Sequence, residues 1–394
     1  MVQNRFYNAI PYGCSAFGSG TTQSIVDRWI QVWSKGLKDF SLLLIIANTK
    51  TAEIEGISAA GATSESRRYT AISDAELLLN GPSFKMQWPL PPLPAGVSPA
   101  LISHVASRLL NATPQIITAG LLQRPTFPHL EVELSCEGPA NCLSTGEAMS
   151  IERVERLWQK GISIGKSLKK PLLLAESVPG GTTTAHAILE GLGLSVSNFV
   201  SGSVRYPPLE LKKSIVNLGL QAAKLGTDPM PKKVLAAVGD PFQAVSAGIL
   251  IGARHSDQPV LLGGGSQMLA VIALALSEIT LEARSSFMDG ISIGTTSWLA
   301  SESLPSLSSE SSFDNLMNIV SDYFGVSLLG LANGLRFNDS SKQALRDYED
   351  GYVKEGVGAG ALTLLAQLDG CSQSQLIEAC ELAVESLQNT QGSR

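Results

Sequence analysis

A parallel, Rossmann-like α/β sheet flanked by helices, with a smaller, mainly helical lobe, is the fold this sequence predicts. Three observations predict it. Four short apolar runs each end in small or polar residues: SLLLIIANT (41–49), QIITAG (115–120), PLLLAES (171–177) and PVLLGGG (259–265). Runs of this kind suit strands covered on both faces of a parallel sheet. Helical patterns follow the third and fourth, over 182–192 and 266–276, and strands alternating with helices indicate crossover connections. Finally, at 394 residues the chain exceeds the roughly 250–300 at which a single core stops growing, so a second lobe is expected.

The division that follows from these elements is an N-terminal segment, 1–98, contributing to the sheet and the small lobe, a main α/β domain over 99–370, and a C-terminal amphipathic helix within 371–394. The last rests on SQLIEACELAVESL (374–387), whose apolar positions recur at helical spacing. QWPLPPLPAG (87–96) carries four prolines and cannot be a central element, so a surface crossing after the first lobe is expected there. SESLPSLSSESS (301–312) is Ser-rich and predicts a loop or insertion.

Composition narrows the function classes. Hydrophobic residues make up 44% of the chain and charged residues 16%, with 37 glycines, which supports a large core joined by many tight turns. A net charge of −6, from 29 basic and 35 acidic residues without a run of either sign, gives no footprint for nucleic acid. The longest apolar stretches fall well short of the roughly 20 residues of a membrane helix, so no membrane partner is expected. Five cysteines without a CxxC, and an N-terminus lacking a basic-then-apolar leader, predict a cytoplasmic chain without a disulfide framework. His104, His129, His186 and His255 show no HxH or HxxxH spacing, and no metal site is expected. No GxSxG elbow is present either.

Ligands of open α/β sheets bind beyond the carboxyl ends of the strands, which directs attention to three glycine-rich turns. In AESVPGGTTTAHAIL (175–189) an acidic residue, two glycines and three threonines precede a helix. Glycines admit an anion close to the backbone, and the helix N-terminus and the hydroxyls of Thr182 and Thr183 supply donors. The GxxxxGK spacing of a nucleoside-triphosphate loop is absent. From spacing alone, a turn in which threonines merely cap the helix explains the pattern equally well. The second region (236–274) holds Asp240 at a helix start, where N-capping is a strong alternative, and the triple glycine Gly263, Gly264, Gly265, which implies something lying against the backbone. The third, GYVKEGVGAGALTLLAQL (351–368), sets Glu355 before Gly356, Gly358 and Gly360 at the mouth of an apolar helix. A carboxylate there can meet a substrate that also touches backbone amides; the helix dipole favours its ionised form and burial opposes it. NTKTAEIEGISAAGA (48–62) is a candidate wall for a planar polar ligand, or else a solvated loop.

Together these segments resemble the nicotinate-nucleotide:dimethylbenzimidazole phosphoribosyltransferase family, and more closely its divergent archaeal and cyanobacterial branch, over 172–276 and around Glu355. ESVPGGTTTA is similar to the family's phosphate-holding turn, which implies substrate contacts from Glu176, Gly180, Gly181, Thr182 and Thr183. PVLLGGGSQML is similar to its later strand and turn, and KEGVGAGAL to the segment bearing its catalytic carboxylate. The resemblance implies Glu355 as catalytic residue, with Asp240, Gly264, Gly265, Gly356 and Gly358 among the substrate contacts and a family lysine at Lys212 or Lys213. It further implies transfer of phosphoribose from nicotinate mononucleotide to an aromatic base, no cofactor, and a homodimer. Two departures stand out: Gly263 replaces an Asp and Gly181 an Asn. No base-holding segment is evident before Pro99, which leaves dimethylbenzimidazole, adenine and other bases open. The departures favour a rival reading, a non-catalytic nucleotide-binding or regulatory protein, and Glu355 favours the enzyme. A phosphoribosyltransferase using diphosphorylated ribose lacks its usual acidic pair and glycine-threonine loop here.

Overall fold

The computed structural model describes residues 10–37, 39–200, 202, 204–303 and 311–392. Its centre is an eight-stranded sheet of β1 (Ser15–Phe17), β2 (Ser41–Ala47), β3 (Pro114–Ala119), β4 (Leu130–Glu131), β5 (Leu172–Ser177), β6 (Val260–Gly263), β7 (Ile291–Thr295) and β8 (Gly330–Ala332). The spatial order is β1-β8-β7-β6-β5-β2-β3-β4, and every pairing is parallel except that of edge strand β1 with β8. The expected parallel α/β architecture is therefore the one observed. The strands anticipated from apolar runs, β2, β3, β5 and β6, stand side by side within the sheet, none of them at an edge, and β5 lies between β2 and β6.

Both faces of the sheet are covered, which is why these strands are apolar throughout rather than alternating. Leu43, Ile45, Leu172, Leu174, Leu262 and Ile293 point into one core, formed with helices Ile151–Ser167, Gly181–Gly191, Pro241–His255 and Ser266–Ser277. Leu42, Leu44, Ile46, Leu173 and Leu261 point into the other, with helices Gln23–Gly36, Thr70–Asn80, Pro99–Leu109 and Ala359–Leu368. The helix expected at 374–387 is present as part of Gln373–Gly392. Most of the Ser-rich stretch at 301–312 lies outside the described residues.

The proline-rich stretch does more than cross the surface. It runs along the surface, with Gln87, Pro89, Pro92 and Pro94 exposed, and it is also fastened along its length and walls a cavity. Glu76 accepts from the backbone N–H groups of Gln87 and Trp88 (3.0 and 2.7 Å), Ser73 donates to the carbonyl of Pro89, and Tyr348 donates to that of Val97. A segment that cannot enter a sheet or helix is thus held by side-chain hydrogen bonds instead.

The first core contains an unusually close helix pair. Helices Ile151–Ser167 and Pro241–His255 face each other through Gly161 and Gly165 on one and Gly248 and Gly252 on the other. A Cβ at Gly161 would stand 2.2 Å from the carbonyl oxygen of Val245, and one at Gly248 would stand 2.2 Å from that of Trp158. Those distances are impossible, so any side chain must push the helices apart. Gly248→Ala pits about 1 kcal/mol of gained helix propensity against overpacking of ~1–3 kcal/mol. The variant should lose stability in urea denaturation, and an unchanged or raised midpoint would show that the pair separates freely.

Candidate active site

Beyond the carboxyl ends of β5, β6 and β7 lies a cavity of about 770 Å³. Its wall brings together Glu176, Gly180, Gly181, Thr182, Gly265, Glu355 and Gly356, seven of the residues expected from the sequence. The loop 56–62 and the proline-rich segment 89–99 complete it, so part of the candidate ligand wall at 48–62 does face the cavity.

Glu355 is held by four donors. Thr295 Oγ1 and the Thr296 N–H donate to Oε2 at 3.0 and 2.7 Å, and the N–H groups of Gly356 and Gly360 donate to Oε1 at 3.1 and 3.2 Å. Burial nevertheless outweighs these bonds and raises its pKa to about 7. The loop delivering it is strained: Val353 and Lys354 have φ of 65° and 59°, and Val357 has 55°. Lys354 N–H bonds to the Tyr352 carbonyl and Glu355 N–H to that of Val353, two successive three-residue turns. Strain of this kind in non-glycine residues marks functional loops.

Two further carboxyls line the same cavity. Burial raises Glu176 to about 8; the Val178 N–H opposes this, and the nearby charges of Asp240, Glu355 and Asp74 add to it. Asp74 was not expected from the sequence. It is buried on helix Thr70–Asn80, accepts from Ser98 Oγ at 2.6 Å and Ser177 Oγ at 2.7 Å, and is raised by burial to about 6. Its helix, TAISDAELLLN, is buried almost all round, and an acid in such a helix needs partners.

The opposite chemistry gathers at the phosphate-type turn. Lys212 Nζ donates to Thr182 Oγ1 at 2.8 Å, whereas Lys213 is exposed, which identifies Lys212 as the lysine facing the turn. Burial lowers Lys212 to about 7, with Glu302 raising it and Lys354 lowering it further. Lys354 donates to the carbonyls of Gly202 and Val204 and pairs with Glu302 at 2.5 Å. Leu299, Phe313 and Leu316 supply an apolar side. Arg67 shapes the facing loop by donating to the carbonyls of Ala52, Ile54 and Gly61.

Four expected contacts lie off the cavity wall, and each has a structural reason. Asp240 is fully buried as N-cap of helix Pro241–His255, bonded to Gln243 N–H, Thr184 Oγ1 and Gln267 Nε2; through Gln267 it touches the wall only indirectly. Thr183 is fully buried in its helix. Gly264 accommodates Met268, and Gly358, with φ of 70°, backs onto Ala175, whose Cβ a side chain would meet at 2.8 Å. The glycines of the turn at 180–181 are likewise required by protein neighbours: Ala52 lies 3.1 Å from a Cβ at Gly180, and Gln267 lies 2.5 Å from one at Gly181. Gly263, where the resemblance led to an Asp, is packed against Ala361 and Gly358. Among the described residues no group of three His, Cys, Asp or Glu could hold a metal ion, and no helix is long and apolar enough to cross a membrane.

Comparison with known proteins agrees with the fold. A family model described as phosphoribosyltransferase matches residues 100–290. UPF0284 proteins of Prochlorococcus marinus (strain MIT 9313) and Parasynechococcus marenigrum (strain WH8102) are 56% and 55% identical over 97% and 96% of this chain, and over 94% and 95% of their own. The corresponding protein of Gloeothece citriformis (strain PCC 7424) is 40% identical over 92% of this chain and 95% of its own. Two crystal structures from Thermus thermophilus share the fold. One is a nicotinate-nucleotide-dimethylbenzimidazole phosphoribosyltransferase (TM-score 0.54, 19% identity, 90% of this chain and 85% of that one). The other is CobT (TM-score 0.56, 16% identity, 95% of each).

The raised carboxyls carry a pH signature. Asp74, Glu355 and Glu176 bind protons more tightly folded than unfolded, so their stabilising effect is full below about pH 4 and is lost as pH rises through about 6, 7 and 8 respectively. Lys212, lowered from 10.5 to about 7, acts the other way only above that pH. Glu176→Gln should therefore melt progressively higher than the unchanged protein as pH rises from 5 to 7.5. Parallel melting curves across that range would remove the proton from Glu176.

Proposed function

We propose that this chain, which belongs to the UPF0284 family, transfers phosphoribose from nicotinate mononucleotide to a nitrogen of a benzimidazole-like or purine base and releases nicotinate. The observation that carries the reading is Glu355: a carboxylate on the cavity wall, fixed by four donors, with a pKa near neutrality. A general base works best when its pKa lies close to the working pH. The phosphoribosyltransferase match over 100–290 and the shared fold support the same class of chemistry.

The cavity's polarity orients such a pair of substrates. The ribose phosphate belongs at the end where Thr182, Lys212 and the N-terminus of helix Gly181–Gly191 present donors and positive charge. The base belongs at the end of the carboxyls. There Glu355 takes the ring N–H proton as that nitrogen bonds to C1′, the bond from C1′ to nicotinate breaks, and its electron pair neutralises the pyridinium ring. Glu176, mostly protonated at neutral pH, can both donate to and accept from ribose hydroxyls. Ionised Glu355 also stabilises positive charge developing at C1′. The reading includes cobalamin lower-ligand synthesis as its setting, in the cytoplasm and in a homodimer.

Lys212→Met should weaken binding of nicotinate mononucleotide roughly tenfold or more in calorimetry, as loss of a charge-assisted contact does. This variant is more decisive than changes at Gly180 or Gly181, whose neighbours would be displaced whether or not phosphate binds there. Unchanged affinity would move the phosphate elsewhere.

Glu355→Gln should lower nicotinate release by on the order of 10² to 10⁴ while nucleotide affinity is kept. The amide is not innocent, because either orientation sets its NH₂ against a backbone N–H, from Thr296 or from Gly356 and Gly360. Some loss of melting temperature is therefore expected, and turnover is to be compared well below it. Equal turnover would reduce Glu355 to a helix cap.

A further inference from the structure

Asp74, Ser98 and Ser177 form a buried triad on the wall that also carries Glu176 and Glu355, and nothing in the transfer chemistry above uses it. Its geometry fixes the direction of two hydroxyls. Asp74 as a carboxylate only accepts; Ser98 Oγ gives its one proton to Oδ1 at 2.6 Å, and Ser177 Oγ gives its proton to Oδ2 at 2.7 Å. Ser98 Oγ also accepts from the Ala100 N–H at 3.1 Å as cap of helix Pro99–Leu109. With both protons committed, neither serine has one left for a ligand. Free hydroxyls rotate to suit either partner, but these two are locked as acceptors.

Glu176, mostly protonated at neutral pH, is engaged with the ribose hydroxyls in the reading above, and two other neighbours add no donor. Both oxygens of Glu355 already accept two bonds each, and Arg67, which also lines the cavity, turns its donors to the backbone carbonyls of Ala52, Ile54 and Gly61. The donors Lys212 and Thr182 lie with the turn at 180–182. At the triad itself the cavity therefore presents hydroxyl oxygens that accept and do not donate, and a ligand edge placed there is favoured if it donates.

Resting on the phosphoribosyl-transfer reading, we propose that Asp74 sets acceptor specificity: by holding the protons of Ser98 and Ser177 it makes the base subsite select a heterocycle whose outer edge donates hydrogen bonds, an amino-substituted ring over a methyl-substituted one of the same shape. Asp74 acts here as a positioning residue, through the two serines. The discrimination arises mainly at Ser177, because a methyl group would leave its oxygen without a donor once water is excluded whereas an amine supplies one; Ser98 Oγ keeps the Ala100 N–H in either case.

The test compares 5-aminobenzimidazole with 5-methylbenzimidazole, which differ by NH₂ for CH₃. With the full chain and nicotinate mononucleotide, kcat/KM for the amine should exceed that for the methyl compound on the order of tenfold. Asp74→Asn offers one acceptor and one donor, so one serine must reverse and turn its proton to the cavity; the ratio should fall toward one. Ser177→Ala removes an acceptor while leaving the Asp74–Ser98 bond, and should lower the ratio too. The ratio is read within each variant, so a general loss of stability does not imitate the effect. Equal rates with the two bases, a preference for the methyl compound, or a preference that both variants retain would overturn the proposal. If neither base releases nicotinate, the transfer reading fails by itself. Calorimetric affinities of the two bases for the unchanged protein and both variants then decide the selectivity by the same ratios.

Discussion

The site depends on how closely the N-terminus of helix Ala359–Leu368 can approach the sheet. A Cβ at Gly360 would fall 2.0 Å from the carbonyl carbon of Thr295, one at Gly294 would fall 2.8 Å from Ala361 Cβ, and one at Gly263 3.0 Å from the same atom. Three positions without side chains let the helix settle directly on the ends of β6 and β7. Only at that distance do the Gly356 and Gly360 amides on one side, and Thr295 and Thr296 on the other, reach the same carboxylate. The glycines that look like ligand cradles in the sequence are thus mainly a means of bringing protein to protein, and the site is a consequence of that packing.

Electrostatics follows from the same depth. A carboxylate accepting several backbone N–H bonds in water-accessible surroundings is held well below the usual carboxylate range. Glu355 accepts four bonds and still lies at about 7, so loss of hydration is the larger effect. Glu176 has fewer compensating donors and neighbouring negative charges, and lies higher, at about 8. The two interact, so their protons belong to the pair as much as to either residue. At neutral pH one end of the cavity therefore mixes protonated and ionised carboxyls while the other holds Lys212 and Lys354, an arrangement that distinguishes the two ends of any ligand carrying both an anion and a ring nitrogen.

What was legible in the sequence is what depends on local pattern. Strands β2, β3, β5 and β6 are long apolar runs closed by small or polar residues, and each lies where such a run must, inside a sheet covered on both faces. The short strands β1, β4 and β8 span two or three residues and carry no periodicity to find. Glu355 and the turn at 176–182 were legible because each sets a polar residue beside glycines at the start of a helix. Asp74, Ser98 and Lys354 were not, because each owes its place to a partner far away in sequence: Ser177 for Asp74, Asp74 for Ser98, Glu302 for Lys354. Asp240 illustrates the converse, a residue whose local pattern is complete and whose capping role exhausts it. The proline-rich segment is visible as irregular in sequence, but its fastening by Glu76, Ser73 and Tyr348 is purely tertiary.

The strained loop at 353–357 shows why the carboxylate should stand ready without a ligand to place it. Positive φ in Val353, Lys354 and Val357 costs on the order of 1–3 kcal/mol apiece, and such strain persists only where surroundings over-determine it. Here they do so from several sides. Lys354 is fixed by its ion pair with Glu302 and by two carbonyls, the Val357 N–H bonds to the Glu176 carbonyl, and Ser103 donates to the Val357 carbonyl. Pro99 closes over Gly356, where a Cβ would meet it at 2.9 Å. Each contact comes from a different element, so relaxing one leaves the others in force. Between these anchors Glu355 has little freedom other than χ rotation, and its four donors remove that. A side chain held this way loses little further entropy when substrate arrives, which is the condition under which a single carboxylate contributes most to a reaction.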